Sequence, residues 1–219
     1  MNLAELRSRI TYQTGALALT ALVVSTALAL ADRGTREAIA LRKAEDLKAS
    51  LTQVIPSSLY DADLLDDVVT LPMGADTPSL QIYRARHRGA ISAFAFSVVG
   101  QGYAGPIEAM VGIDPQGRIL GVRVTAHQET PGLGDKIEHR KSNWIFAFDG
   151  RSLADLPPQA WRVKKDGGAF DQLTGATITP RAVVGAVEGG LELFAAHRGQ
   201  LLENKPHRKV QSEEVTDGH

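Results

Sequence analysis

The sequence predicts an α+β protein: a single N-terminal transmembrane helix, then a domain with an antiparallel β-sheet and packed helices. Three observations carry this. The run from Ile10 to Ala31 holds no charged residue. Three β-like runs follow in the middle, two of them joined by Asp114-Pro115-Gln116-Gly117, which has hairpin-turn chemistry. Near the end, Val183, Val184, Val187, Leu191 and Phe194 recur at helical spacing.

As a helix, Ile10–Ala31 would rise about 33 Å at 1.5 Å per residue, enough to cross a bilayer and sit among its lipids. A cleaved signal peptide is the rival reading, because Ala29-Leu30-Ala31 resembles a small-x-small cleavage site. The run is longer than a usual signal core, and helix-favouring residues continue past it, which favours a retained anchor. Charge leaves orientation open: Arg7 and Arg9 precede the span, while Arg33, Arg36, Arg42 and Lys43 follow it. Asp32 to Val54 is rich in Ala, Leu, Glu, Lys and Arg and is stopped by Pro56, so it reads as a helical stalk. Asp61, Asp63, Asp66 and Asp67 then read as a solvated acidic face, since the spacing lacks the turn glycine and terminal Glu of a calcium loop.

Ser92–Val99, Ile107–Ile113 and Ile119–Ala126 are expected as sequential antiparallel strands. The loop holding Gly100, Gly102, Tyr103 and Gly105 introduces no helix, so it fails as a dinucleotide fingerprint and reads as a surface loop. Glu129-Thr130-Pro131-Gly132-Leu133-Gly134 sits at a strand end, where loops carry function. His127 and His139 lack a third ligand at metal spacing, so no metal site is expected. Trp144 and Phe146 begin an apolar patch read as core, and Trp161–Lys165 alternates as a strand.

Asp171-Gln172-Leu173-Thr174-Gly175-Ala176-Thr177 places two hydroxyls around a Gly-Ala pair. The small residues leave room for close approach, and the following helix would aim its N–H groups and positive dipole end at Thr177. That favours a phosphate there. Thr179 is the expected N-cap, with Pro180 as first helical residue. The chain has no cysteine, which removes thiolate-bound metals, iron–sulfur clusters, thioether cofactors and lipoprotein anchors. Any covalent cofactor must therefore use another nucleophile, such as a hydroxyl. The formal net charge of −1 gives no bulk attraction for nucleic acid. No nucleophile–base pair is apparent, so no catalytic residue is assigned.

Asp171–Thr177 resembles the D-x-x-[ST]-G-A-[ST] flavinylation motif of FMN-binding domains, and Glu129–Gly134 resembles their second signature. With an N-terminal anchor, these resemble the G subunit of the Rnf (Rsx) electron transport complex; Gly134-Asp135-Lys136-Ile137-Glu138 and Lys164-Lys165-Asp166-Gly167-Gly168 look like that subunit in particular. The C subunit of the sodium-translocating NADH:quinone reductase is the alternative within the motif. An anchored module holding a phosphate ligand noncovalently is the alternative outside it. The resemblance implies covalent FMN on Thr177, a phosphate turn of Thr174, Gly175 and Ala176, and Asp171 read by a flavin transferase. It also implies that Glu129, Thr130, Gly132, Leu133 and Gly134 lie along the flavin. Implied partners are the other subunits of the complex. The implied layout is a cytoplasmic tail (1–9), an inner-membrane helix (10–31), a stalk (32–56), a periplasmic FMN-binding domain (57–202) and a polar tail (203–219).

Overall fold

The computed structural model describes residues 10–72 and 79–203; the expected N-terminal tail, and the polar tail beyond Glu203, lie outside the described residues. Helix α1 (Ile10–Val54) runs unbroken to the turn before Pro56, as the helix-favouring composition requires. In its first half Leu17, Leu19, Leu22, Val23, Val24, Leu28 and Leu30 are all exposed. Apolar residues thus cover the helix all round, the pattern of a membrane span rather than of a surface helix. Thr20, Thr26 and Thr35 return their hydroxyls to the carbonyls of Ala16, Leu22 and Ala31 at 2.7–2.9 Å, which satisfies them without water. Among the described residues this is the helix long and apolar enough to cross a membrane.

The chain divides into two compact units between Leu47 and Lys48, so the last turns of α1 belong to the globular unit. That unit is built on a five-stranded antiparallel meander: β1 (Val68–Leu71), β2 (Leu80–His87), β3 (Ala90–Gln101), β4 (Pro106–Ile113) and β5 (Ile119–Ala126). The three expected strands are there, and β1 and β2 extend the sheet. Helix α2 (Ile178–Leu201) closes the fold.

Register decides which residues meet which helix. Phe96, Val111 and Val122 pair across β3, β4 and β5 and so share one face, in the core with Val183, Val187 and Phe194 of α2. Phe94 meets Phe194 with ring centroids 5.1 Å apart. The next row, Ala95, Gly112 and Gly121, faces the other way, and there Val54 of α1 comes close. A Cβ on Gly112 would stand 2.3 Å from the Val54 carbonyl oxygen, so the helix end approaches as only glycine permits. Leu51, Val54 and Ile55 are buried, and Lys48 pairs with Asp63 at 2.5 Å.

Expectations for two loop segments fail in this unit. The acidic segment is not simply a solvated face: Asp67 receives Arg84 and Arg86, and Arg84 is 2 % exposed. Burial of a guanidinium requires such pairing, and Arg84 also donates to the Glu203 carbonyl at 3.0 Å. Trp161–Lys165 is no strand either. Val163 makes a single bridge to Phe170, Lys164–Asp166 forms a 3₁₀ turn, and Gly167 closes it at φ 84°. The chain doubles back so tightly that a Cβ on Gly168 would lie 1.9 Å from the Arg162 carbonyl oxygen. This segment and the turn at Trp144–Phe148 bring Trp144, Phe148, Phe170 and Trp161 into one aromatic cluster, so Trp144 is core as expected, whereas Phe146 is exposed, with Arg123 over its ring.

Candidate functional site

Two tight turns make the site. In the first, Leu133 and Gly134 both donate their N–H to the Thr130 carbonyl at 3.2 Å. Pro131 supplies the second position, and Gly132 the third at φ 79°, as a type II turn demands. In the second, Ala176 N–H donates to the Leu173 carbonyl at 3.1 Å, and Gly175 takes the third position at φ 84°. The turns touch: a Cβ on Gly175 would lie 2.7 Å from Leu133 Cδ2. Glycine is therefore required at 175 twice over, by backbone angle and by its neighbour.

Glu129 fixes the spacing of the surrounding elements. It is 5 % exposed and accepts hydrogen bonds from the Thr179 hydroxyl, on α2, and from Ala104 N–H, on the β3–β4 hairpin, the latter at 3.0 Å. Its own N–H donates to His127 Nδ1 at 3.1 Å, which leaves Nε2–H of that ring to donate to Glu138 at 2.9 Å. Lys141 adds a 2.6 Å contact to Glu138 and, with His127, holds that carboxyl below its ordinary range. A Cβ on Gly134 would stand 2.8 Å from Glu129 Oε2, and one on Gly102 would stand 2.5 Å from Oε1. Glycine at both places lets the carboxylate be reached from two sides.

The helix start differs from the expectation. Thr177, not Thr179, is the N-cap residue, and it makes no side-chain capping bond. Thr179 is drawn into the second helical position because its hydroxyl is taken by Glu129, and Pro180 is tolerated in the first turn, where N–H groups lack helical partners anyway. The Thr177 carbonyl accepts Arg181 Nη1 at 3.0 Å, and Arg181 is itself held by Asp166, whose carboxyl it keeps below the ordinary range. The Thr177 side chain is left exposed beside the amides of the first helical turn.

These parts enclose a cleft of about 440 Å³, within the range of small-molecule sites. Glu129, Thr130, Leu133, Gly134, Gly175, Ala176 and Thr177 line it; Asp171, Thr174 and Gly132 stand outside its lining. Asp171 pairs with Lys164 at 2.5 Å and gives its carbonyl to Trp144 Nε1 at 2.6 Å, so the start of the motif is anchored on the aromatic cluster. Tyr103, Ile178 and Thr179 complete the lining and were not foreseen. Thr179 carried a signal, its position two residues past the motif. Tyr103 carried none beyond its glycine-rich loop. An exposed hydroxyl at a helix N-terminus, floored by small residues and flanked by apolar side chains, suits a phosphate joined to a flat, largely apolar group.

Comparison with known proteins agrees. Residues 102–192 match the family model of the FMN-binding domain. The chain is 51 % identical to the G subunit of the ion-translocating oxidoreductase complex of Cereibacter sphaeroides, over 88 % of this chain and 87 % of that one. The G subunit of the same complex from Stutzerimonas stutzeri is 46 % identical over 92 % and 88 % of the two chains, and that from Vibrio vulnificus 45 % over 87 % and 91 %. Among solved structures, NqrC of Shewanella oneidensis superposes at a TM-score of 0.46 and 24 % identity, covering 67 % of this chain and 73 % of that one, too low to carry an argument.

Proposed function

This chain belongs to the family of G subunits of ion-translocating oxidoreductase complexes, and from that premise we propose that it is a membrane-anchored electron carrier holding FMN covalently on Thr177. The observation that carries the reading is the Thr177 hydroxyl: exposed, at an N-cap, in the cleft, and with no capping bond to lose. Attachment forms a phosphoester between Thr177 Oγ and the FMN phosphorus of FAD. The bond from that phosphorus to AMP breaks, AMP leaves, and the hydroxyl proton passes to the flavin transferase that catalyses the exchange. The resulting diester carries about one negative charge, which the first-turn amides of α2 offset.

When bound, FMN supplies one-electron and two-electron transfer. The chain's part is to bind and orient. Gly175 and Ala176 keep side-chain bulk away from the phosphate, Leu133 and Ile178 keep water from the ring, and Glu129 holds the walls at fixed spacing. Thr174 shapes the turn, and Asp171 and Gly132 act from outside the cleft, Asp171 as a feature the transferase reads. The other subunits of the complex are its electron donor and acceptor. The membrane helix lies within residues 10–31, the turns from residue 32 to Leu47 form the stalk, and the globular unit from Lys48 faces the periplasm.

In-gel flavin emission from the full chain made with a flavin transferase tests attachment: the wild type should fluoresce after denaturation and Thr177→Val should not. A dark wild-type band sinks the reading. Sidedness is open to a cysteine test because the chain has no cysteine of its own. A Gln116→Cys variant should react with a membrane-impermeant maleimide once the outer membrane alone is opened, and labelling only after full lysis would place the domain on the other side.

A further inference from the structure

Tyr103 stands at the tip of the β3–β4 hairpin, 73 % exposed, on the rim of the cleft that holds Thr177. An exposed aromatic is ordinary in itself. The way this one is held is not. Gly102 N–H donates to the Gly105 carbonyl at 2.9 Å, and Ala104 N–H donates to Glu129 Oε1 at 3.0 Å, so the backbone is tied on both sides of Tyr103. The second tie ends on the carboxylate that also receives Thr179, two residues from Thr177. The hairpin tip is therefore fixed relative to the attachment residue, while the ring stays open to solvent. Leu133 and Ile178, 42 % and 44 % exposed, are large apolar side chains in the same cleft. Apolar side chains gathered in one cleft mark a binding site, and an aromatic among them favours a ligand with a flat face.

We propose that Tyr103 is a positioning residue that stacks on the isoalloxazine ring of FMN attached at Thr177, and thereby sets the ring's exposure to water. The proposal rests on the attachment reading above. A tyrosine has few side-chain torsions to freeze, so stacking from a tethered hairpin tip orders little that is not ordered already. Its phenol also quenches flavin emission, by passing an electron to the photoexcited ring and taking it back.

The test uses the full chain, made with a flavin transferase and purified in detergent, as wild type, Tyr103→Phe and Tyr103→Ala. Emission on a denaturing gel reports attachment; emission of the folded protein, and its quenching by iodide, reports stacking. All three should fluoresce alike on the gel. Folded Tyr103→Phe and Tyr103→Ala should both emit several-fold more than wild type, since neither has a phenol. Iodide should reach the flavin more readily in Tyr103→Ala, whereas Tyr103→Phe, which keeps a ring, should match the wild type. Folded emission and iodide quenching unchanged in both variants would overturn the stacking and leave the attachment standing. A dark wild-type band would overturn both.

Discussion

The two walls of the cleft treat their polar side chains in opposite ways. Along Leu173–Ile178 Thr174 and Thr177 are both exposed, and even the N-cap residue makes no capping bond. Along Glu129–Gly134 the charged group is buried and fully engaged with protein, tying a hairpin and a helix together. One wall is available for chemistry because the other has taken over the work of holding shape. A threonine that capped its own helix would offer a less accessible hydroxyl, and removing it would cost about 1 kcal/mol of stability.

The comparison can be broken by substitution on either wall. The largest effect on cofactor falls at Thr177: Thr177→Val should lose covalent flavin entirely, while its unfolding free energy stays within about 0.5 kcal/mol of wild type, because no capping bond is removed. Thr174→Val should keep the flavin, since Thr174 does not line the cleft. Paired denaturing gels and thermal melts check both, and a large stability loss in Thr177→Val would show that its hydroxyl does structural work after all.

On the other wall the balance reverses. Glu129→Ala should destabilise by about 3 kcal/mol, because Ala104 N–H and the Thr179 hydroxyl lose a charged partner in a buried place. A fall in melting temperature of roughly 6–12 °C follows for a domain of this size. Gly134→Ala should cost about 1–2 kcal/mol, since the added methyl meets Glu129 Oε2 at 2.8 Å and Thr179 Oγ1 at 3.0 Å. Melts within error of wild type for both variants would remove the scaffold role from this wall.

The smallest effect is with pH. Asp166 has its carboxyl held below the ordinary range by the hydrogen bond from Arg181, which also grips the Thr177 carbonyl. A carboxylate with a depressed folded value contributes stability that is fully present above its unfolded value of about 3.9 and is lost as pH falls through the folded value. Asp166→Asn should therefore lower stability slightly at neutral pH, change nothing below the folded value, and so flatten the acid limb of a stability–pH profile. Both partners are substantially solvated, so the change is small.

What the sequence showed depended on whether a local pattern decided the outcome. Strands β3 to β5 and helix α2 follow their own periodicity. Strand β2 was hidden because Arg84 and Arg86 spoil its apolar alternation, and both reach Asp67, well before them in the chain. The N-cap was misplaced by two residues for the same kind of reason: Thr179 has the right chemistry to cap, but Glu129 claims its hydroxyl. Trp161–Lys165 alternates like a strand, yet Gly167 and Gly168 fold the chain back before it can pair. In the site, the two turns were legible because Pro-Gly and Thr-Gly spell their geometry. Tyr103 was not, because only the hairpin register and the Ala104–Glu129 bond bring it to the cleft.

The central claim, that the open wall carries the cofactor at one hydroxyl, is tested most directly by peptide mapping. The full chain made with a flavin transferase is digested and its peptides sequenced by mass spectrometry. The account predicts the mass of FMN less one water on Thr177 and on no other residue. An adduct on Thr174, or an unmodified Asp171–Thr177 peptide from a protein that nonetheless carries flavin, would contradict it.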